Sequence, residues 1–398
     1  MGDSQPSITQ GEAPEPRSVG RSVEGGSAVV VLPCTDLAEA MAWFTEQLGF
    51  RLDRIAPADD PRRALMSGYG LRFELRRGAA DGPGRLRLSC ADPRLHCRRL
   101  GGGDDDGGSG WSVRAPNGTI VELVEADPPL VLPPAQQQLV STTPQEKGGD
   151  DAVTGRAGMV YRDLIPGRLG GRFIASQIRI EDGGPVPDAV HFHKIRFQLI
   201  YCAAGWVRVA YEDQGEPLMM EAGDCVLQPP EIRHRVLESS AGLEVIEVSC
   251  PAEHETWLDH ELALPTGAVH PERVFGGQRF VHHVAAKMPW TAWRGDGFEQ
   301  QQTEIGAATH GLATAGTVRC TDPNGSAPLH HDGEFLFLYI LCGAITWRCD
   351  DRPELRLEQG HSLTVPAGLN SALSQGTADL LLLEVCLPRA TDNQDSRD

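Results

Sequence analysis

The sequence predicts a mainly β protein in which two related β-barrels follow a smaller α+β domain. From about residue 155 the chain runs in short apolar segments separated by glycine and proline, such as GRFIASQIRI, GWVRVAYE and LEVIEVSC. A second run of this kind contains EFLFLYILCGAITWRC and ADLLLLEVCLP. Regularly spaced short strands with turn signals indicate an antiparallel sandwich or barrel, and the repeat indicates two. Residues 27–128 instead alternate helical and strand patterns.

Length and the low-complexity stretches set the expected domain bounds. A chain of 398 residues suggests two or three domains, at roughly 150 residues each. The segment ADPPLVLPPAQQQLVSTTPQEKGGDD is rich in proline and glutamine and reads as a linker. The predicted parts are a disordered leader (1–26), an α+β domain (27–128), a linker (129–154), a metal-binding barrel (155–262), a degenerate second barrel (263–390) and a tail (391–398).

Charge and cysteine usage narrow the partners. The 36 basic and 55 acidic side chains give a net charge of −19, which repels nucleic-acid phosphates and anionic lipid surfaces. The sequence has no apolar run of membrane-spanning length and no signal-peptide pattern. Ten scattered cysteines without a CxxC pair suit reduced thiols. We therefore expect a cytoplasmic protein with a small-molecule substrate, no nucleic-acid or membrane partner, and a possible homodimer through an exposed barrel edge.

The amino-terminal domain opens with a strand, SAVVVLPC, and a helix, TDLAEAMAWFTEQLGF. Thr35 or Asp36 can cap this helix and Gly49 can end it. Short strands follow in ALMSGYGLRFELRRG, and RLRLSCADPRLHCRRL begins a second strand and helix that lead to APNGTIVELVE. The predicted order is βαβββ followed by an abbreviated repeat.

Two of these segments, DLAEAMAWFTEQLGF and PNGTIVEL, resemble the glyoxalase/bleomycin-resistance (vicinal-oxygen-chelate) family. The resemblance implies that Glu122 stands where the family has a metal ligand. The opening strand offers only Ala28 and Val29 where the family usually has histidine or glutamine. One ligand cannot hold a metal against water, so we expect a structural or substrate-covering domain in which Glu122 is a surface or paired strand residue.

The strongest chemical signal is a histidine pair in the segment HFHKIRFQ. Residues i and i+2 of a strand share a face, so His191 and His193 point into one space. His234 follows a Pro-Pro turn further along the chain. Gln198 lies at an odd offset from His193, so a bend is needed to bring it to the same face. Three imidazoles with an amide oxygen suit Fe, Mn, Ni, Cu or Zn.

These spacings resemble the cupin superfamily. The first cupin motif is HxH, three or four residues, Glu, six residues and Gly, and the matching positions are His191, His193, Gln198 and Gly205. The second motif places Gly, Pro and His at the positions of Gly223, Pro229 and His234. The chain departs from the family at Gln198, where Glu is usual, and at Glu231, where Gly is usual. The resemblance implies a bicupin with one metal site, in its first barrel.

The second barrel lacks this set. His331 aligns with the second histidine of the motif, whereas Leu329, Leu336 and Ser371 fill the other three positions. We therefore expect an inert, structural barrel. His282 and His283 alternate between the two faces of a strand, which predicts a packing or surface pair. We expect His254 and His260 to lie in a solvated loop.

Ligand type and open coordination positions define the candidate reactions. With Fe(II), the favoured ion, the set resembles three-histidine dioxygenases acting on a small polar organic substrate. With Zn or Ni, a redox-neutral isomerase, cyclase or lyase acting on a carbonyl or sugar acid is the alternative, and a non-catalytic metabolite-binding cupin is the third. Mn and Cu are further possible ions.

Several side chains are candidates for supporting roles in these reactions. Gln198 can ligate the metal, hydrogen-bond the substrate or pack as an amide. Arg196 and Arg208 are candidates to neutralise an anionic substrate, although Arg196 can instead face solvent or the other barrel. The residues expected to contribute to catalysis are Gln198, Arg196, Tyr201, Tyr211 and Glu231.

Overall fold

The computed structural model describes residues 27–46, 49–68, 70–78, 85–100, 103–104, 111–114, 120–144, 153–350 and 352–388. The predicted leader and tail lie outside these residues. The chain divides into two compact units, one drawn from residues up to 31 and 81–128, the other from 32–80 and 129–398. None of the helices in the described part has the length and apolar character needed to cross a membrane.

The described residues of the amino-terminal third contain βαβββ twice, so the predicted order is present but the second set, expected to be abbreviated, has all five elements. Its helices are α1 (Leu37–Glu46) and α2 (Pro93–Arg99). Its strands are β1 (Ser27–Cys34), β2 (Arg51–Ala56), β3 (Arg63–Gly68), β4 (Leu71–Arg77), β5 (Arg85–Cys90), β6 (Gly103–Asp104), β7 (Trp111–Arg114), β8 (Ile120–Glu125) and, beyond the repeat, β9 (Val140–Thr142). The domain bounds and the glyoxalase-like identity predicted for this region stay predictions.

The caps of α1 follow from the sequence. Asp36 Oδ1 accepts a hydrogen bond from the backbone N–H of Glu39 at 2.9 Å, which satisfies one of the unpaired amides at the helix start. The described helix extends to Glu46, and Gly49 has φ +69° and donates its N–H to the carbonyl of Thr45, as expected for a residue that follows a helix end. Of the two candidate caps, Asp36 is therefore the one that makes this contact.

The first unit contains the second βαβββ set. Strand β5 pairs antiparallel with β1 and parallel with β8, and β8 continues to β7 and β6. Glu122, on β8, accepts hydrogen bonds from Arg85 and Arg87 on β5, each at 2.8 Å. Its carboxylate is thus engaged by two guanidinium groups, which agrees with the reading of Glu122 as a paired strand residue.

The second unit contains two β-barrels. The elements of the first are β10 (Val153–Thr154), β11 (Val160–Asp163), α3 (Arg168–Gly171), β12 (Ile174–Ile180), β13 (Gly184–Pro185), β14 (His191–His193), β15 (Phe197–Ala204), β16 (Trp206–Tyr211), β17 (Leu218–Glu221), β18 (Cys225–Leu227), β19 (His234–Ser239), β20 (Leu243–Cys250) and β21 (Thr256–Leu258). One face has the order β10-β11-β12-β20-β15-β18-β24, in which β24 (Val281–His283) comes from a later part of the chain, and the other has β17-β16-β19-β14-β21. Within this unit the second sheet continues into β2, β3 and β4.

The remaining elements form the second barrel and its connection. They are β22 (Val274–Phe275), β23 (Gln278–Arg279), β24 (Val281–His283), β25 (Thr291–Ala292), β26 (Phe298–Gln302), α4 (Ile305–Ala308), β27 (Thr314–Cys320), β28 (Ser326–Leu329), β29 (Phe335–Cys342), β30 (Ala344–Cys349), β31 (Arg352–Glu358), β32 (Ser362–Thr364), β33 (Ser371–Ser374) and β34 (Leu381–Leu387). Its two sheets are β25-β26-β27-β34-β29-β32-β9 and β28-β33-β30-β31.

The two barrels exchange edge strands and share a core. Strand β9, from the predicted linker, pairs with β32 of the second barrel, and β24, from the segment after residue 263, pairs with β18 of the first. Between the barrels, Phe173 stacks on Phe335 with ring centroids 4.2 Å apart. Each exchanged strand covers an edge that would otherwise present unpaired backbone groups.

Candidate metal centre

Two neighbouring strands bring the three predicted histidines together. His191 and His193 lie on one face of β14, and His234 begins β19 directly opposite His191 in the strand register. All three side chains are buried. The ring centroids of His191 and His234 are 4.1 Å apart, and one nitrogen of each histidine lies within 4.8 Å of the others. The predicted histidine set is therefore one cluster.

Backbone carbonyls fix the orientation of each ring. Nδ1 of His191 lies 2.7 Å from the carbonyl oxygen of Ala189, and Nδ1 of His234 lies 3.0 Å from that of Ile232. Nδ1 of His193 lies 3.2 Å from the carbonyl oxygen of Glu255. A carbonyl oxygen only accepts hydrogen bonds, so Nδ1 carries the proton and Nε2 the lone pair. Metal-ligating histidines characteristically have this second contact, and the three residues fit a divalent ion.

A bend brings Gln198 to the same cavity. Residues 194–196 interrupt the strand pattern between β14 and β15, as the odd offset required. The Gln198 Nε2 donates to Glu247 Oε1 at 2.7 Å, and its Oε1 accepts from Gln228 Nε2 at 2.9 Å. Because a carboxylate only accepts, Glu247 fixes which end of the Gln198 amide is the donor. The amide oxygen is thus held on the side away from Glu247.

Tyr211 ends this chain of hydrogen bonds. Its hydroxyl donates to Gln228 Oε1 at 2.7 Å, and its ring packs beside that of His234 with centroids 5.7 Å apart. Burial raises the pKa of the Tyr211 phenol above its ordinary value, so it remains a hydrogen-bond donor at neutral pH. Tyr211 therefore lies at the predicted site and orients Gln228.

The cluster opens into a cavity of about 100 Å³ inside the first barrel. The histidines, Gln198, Gln228 and Glu247 contribute its polar surface, together with His254. Most of the remaining lining is aliphatic and comes from β12, β16, β19 and β20. Ala58, in the turn after β2, also lines the cavity, so the region predicted as the amino-terminal domain contributes to its wall.

Three residues that line the cavity are not predicted as site residues from the sequence. The sequence does not mark Gln228 or Glu247 as candidate site residues, and His254, expected in a solvated loop, lines the cavity instead. The His254 ring lies 5.1 Å from that of His193, centroid to centroid, and its Nδ1 is 3.1 Å from the carbonyl of Pro251. Glu247 follows Leu243 and Val245 at alternate positions of β20, so strand periodicity was the available signal for its inward direction.

Arg196 and Tyr201, both predicted as catalytic residues, lie away from the cavity, so the prediction that they face it is wrong. Arg196 Nη1 donates to Glu334 Oε2 of the second barrel at 2.7 Å, so the alternative in which it faces the other barrel is the observed one. The Tyr201 hydroxyl lies 3.1 Å from Thr317 Oγ1 in the core between the barrels. Tyr201 is three residues beyond Gln198 on one strand, and alternation turns it to the opposite face.

Glu231 and Arg208 also point elsewhere. Glu231 is exposed in the turn before β19, with φ +65°, and its backbone N–H donates to the carbonyl of His193. The left-handed backbone explains why the cupin motif has glycine at this position. Arg208 is exposed and pairs with Glu238 at 3.2 Å. Neither side chain lines the cavity.

The other histidines differ from the cluster. Nε2 of His331 lies 2.7 Å from the carbonyl of Val365, so this nitrogen carries the proton, and burial lowers the pKa of the ring. His330 is exposed. His283 is buried on β24, and His282 occupies the alternate position of that strand, as expected for a packing pair. His260 lies on a surface segment, with Nε2 2.7 Å from the carbonyl of Leu52.

Comparisons with known proteins yield structural neighbours alone. No family model matches the sequence, and no curated protein matches it. Protein Ylba of E. coli is 11% identical and has a TM-score of 0.44, covering 66% of this chain and 95% of its own. Oxalate decarboxylase of Bacillus subtilis is 11% identical (TM-score 0.42; 58% and 72% covered). A salicylate 1,2-dioxygenase variant of Pseudoaminobacter salicylatoxidans is 14% identical (TM-score 0.41; 57% and 75% covered).

Proposed function

We propose that this chain is a mononuclear metal-dependent enzyme of the bicupin type, with its metal site in the first barrel. One observation carries the proposal: three buried histidines converge with each Nδ1 held by a backbone carbonyl. This arrangement selects the tautomer that places the lone pair on Nε2. The two motif spacings support the same assignment. His191, His193 and His234 would hold the ion, with Gln198 as a fourth ligand through its amide oxygen.

The favoured activity is that of a non-haem iron oxygenase, of dioxygenase type, acting on a small organic substrate. A ferrous ion in this site would supply the electron chemistry that protein side chains lack. The chain's own residues orient the side chains that would bind the metal and exclude water from them. Glu247 holds the Gln198 amide, Tyr211 holds Gln228, and the aliphatic walls exclude water from the reacting groups.

A second candidate, a redox-neutral isomerase, cyclase or lyase, is favoured by the proton-carrying groups in the cavity. The Glu247 carboxylate and the His254 imidazole both line it. A carboxylate and an imidazole at one site can take a proton from a carbon next to a carbonyl and return it elsewhere. A divalent ion of fixed oxidation state would supply the Lewis acid.

Metal analysis of the full chain, purified without added metal, tests the proposal. We expect nearly one equivalent of a transition metal by mass spectrometry and its loss in His191→Ala. His260→Ala is the matched control, because His260 lies on a surface segment away from the cavity. Iron in the parent, with oxygen uptake that depends on it, supports the oxygenase. Zinc or nickel, with activity in anaerobic buffer, supports the second candidate, and a parent that binds no metal overturns both.

A further inference from the structure

The charge of the walls around the metal-site cavity limits the substrates that it can hold. Among the described residues that line it, none is lysine or arginine, and its acidic group is Glu247. The bulk of the wall is aliphatic, with Ile178, Ile200, Val209 and Met220 among its residues. An anionic group held against this wall, away from the histidines and the ion that they would bind, would lose its hydration without gaining a partner, which is costly.

The arginines that the sequence offered as anion-binding groups are engaged elsewhere. Arg196 pairs with Glu334, and Arg172 pairs with the same carboxylate. Arg208 lies on β16 between Val207 and Val209, both of which line the cavity, and so points to the outside of the barrel. Alternation along β16 therefore separates the charge of Arg208 from the cavity.

We infer that the substrate has an uncharged, apolar body and carries an oxygen-bearing end that faces the histidines. This inference rests on the proposed function and narrows its small organic substrate to a neutral one with an apolar body, in place of the small polar substrate expected from the sequence. The cavity volume of about 100 Å³ sets the size. An apolar cavity of roughly 150 Å³ accommodates benzene, so this smaller cavity encloses a group no larger than a small branched alkyl.

A pair of isosteric ketones tests the inference on the zinc-loaded full chain. 5-Methylhexan-2-one and levulinate share the ketone and differ in having an isopropyl group or a carboxylate at the far end. We expect titration calorimetry or ligand-observed NMR to show that the neutral ketone binds roughly tenfold or more tightly than levulinate, because the carboxylate must be desolvated. Levulinate binding as tightly as the ketone overturns the inference.

Two variants on one strand locate the binding. Val209→Phe fills the cavity and should abolish ketone binding while zinc content is retained, whereas Arg208→Ala, on the outer face of β16, should leave both unchanged. Ketone binding that survives in Val209→Phe places the ligand elsewhere and overturns the inference. Zinc content, measured on the same samples, separates this failure from that of the proposed function: a parent without zinc contradicts the metal site, whereas a zinc-bound parent that prefers levulinate contradicts only the substrate class.

Discussion

The two barrels have the same sheet arrangement, but the first encloses a cavity and the second a packed apolar core. In the first, Gln198 is the second residue of β15 and reaches a cavity. In the second, Leu336 is the second residue of the equivalent strand β29 and is fully buried. That core also contains Trp347, Leu329 and Leu373, all with no exposed surface. Apolar side chains thus fill the space that a metal site needs, so one framework supports either a cavity or a packed core.

A glutamate on the equivalent strands β20 and β34 shows the same contrast between the barrels. Gln198 is in register with Ser249, and Leu336 is in register with Cys386, so Glu247 and Glu384 occupy equivalent positions two residues earlier. Glu247 holds the cavity amide of Gln198. Glu384 has no such amide opposite it and instead pairs with Arg294 at 2.9 Å. The carboxylate persists in both barrels, but its polar partner is different.

The largest expected effect is on metal content, from equivalent histidines in the two barrels. His193→Ala should reduce bound metal from nearly one equivalent to roughly a tenth or less, because two imidazoles and an amide hold an ion poorly. His331→Ala should leave metal content unchanged, since the protonated Nε2 of His331 faces the carbonyl of Val365. Elemental analysis of the purified variants checks both. Metal loss in His331→Ala would mean that the second barrel is not inert.

The free energy of unfolding should be more sensitive to changes in the second barrel than in the first, which is the reverse of the order expected for metal content. Leu336→Ala removes a fully buried side chain from a packed core and should lower the free energy of unfolding by about 2–5 kcal/mol. Gln198→Ala should cost less, because its side chain faces an existing cavity, where water can take over its hydrogen bonds to Glu247 and Gln228. Denaturant unfolding of the metal-free proteins compares them. Equal losses would contradict the distinction between a filled and a hollow barrel.

Glu247 should matter for metal affinity although it is not expected to touch the ion. Glu247→Leu removes the acceptor that orients the Gln198 amide and should weaken metal binding by about 10–100-fold, the usual effect of losing such an orienting group. Glu384→Leu, the same change in the second barrel, is the matched control and should leave affinity unaltered. Competition with a chromophoric chelator measures both. An unchanged affinity in Glu247→Leu would remove Glu247 from the orienting role.

The features that could be predicted from the sequence are those that depend on local periodicity, namely the histidine cluster, the bend before Gln198 and the two barrels. Alternation along β14 placed His191 and His193 together, and the odd offset of Gln198 required the bend that lies at residues 194–196. The spacing to His234 after the Pro-Pro turn completed the cluster. Turn signals and repeated apolar strands likewise predicted two barrels and the mainly β fold.

Contacts between distant segments were not readable from the sequence. Gln228 and Glu247 meet Gln198 across 30 and 49 residues of chain, so no local pattern marks them as partners. His254 approaches His193 from a connecting segment whose path depends on the fold. Arg196 lies in the bend itself, where strand alternation does not determine direction, and it pairs with the second barrel. Tyr201 is the exception, because alternation from Gln198 already indicated the opposite face.

The smallest expected effect is a pH dependence of the free energy of unfolding that arises from Glu384 in the second barrel. Desolvation raises the pKa of Glu384 above the ordinary glutamate value of 4.5, against the opposing influence of Arg294. Between 4.5 and the raised pKa, the folded chain keeps a proton that the unfolded chain has lost, so stability falls as pH rises through this window. Glu384→Gln has no such proton. Its stability relative to the parent should therefore improve with rising pH, by at most about 1.4 kcal/mol per pH unit, and then level off.

Thermal or denaturant unfolding of the metal-free proteins across this pH range measures the difference. Glu299→Gln is the matched control, because Glu299 forms a half-exposed pair with Arg319 on the neighbouring strands β26 and β27. Its relative stability should change little over the same window, since solvent screens such a pair. A Glu384→Gln curve parallel to that of the parent would show that Arg294 compensates the desolvation fully.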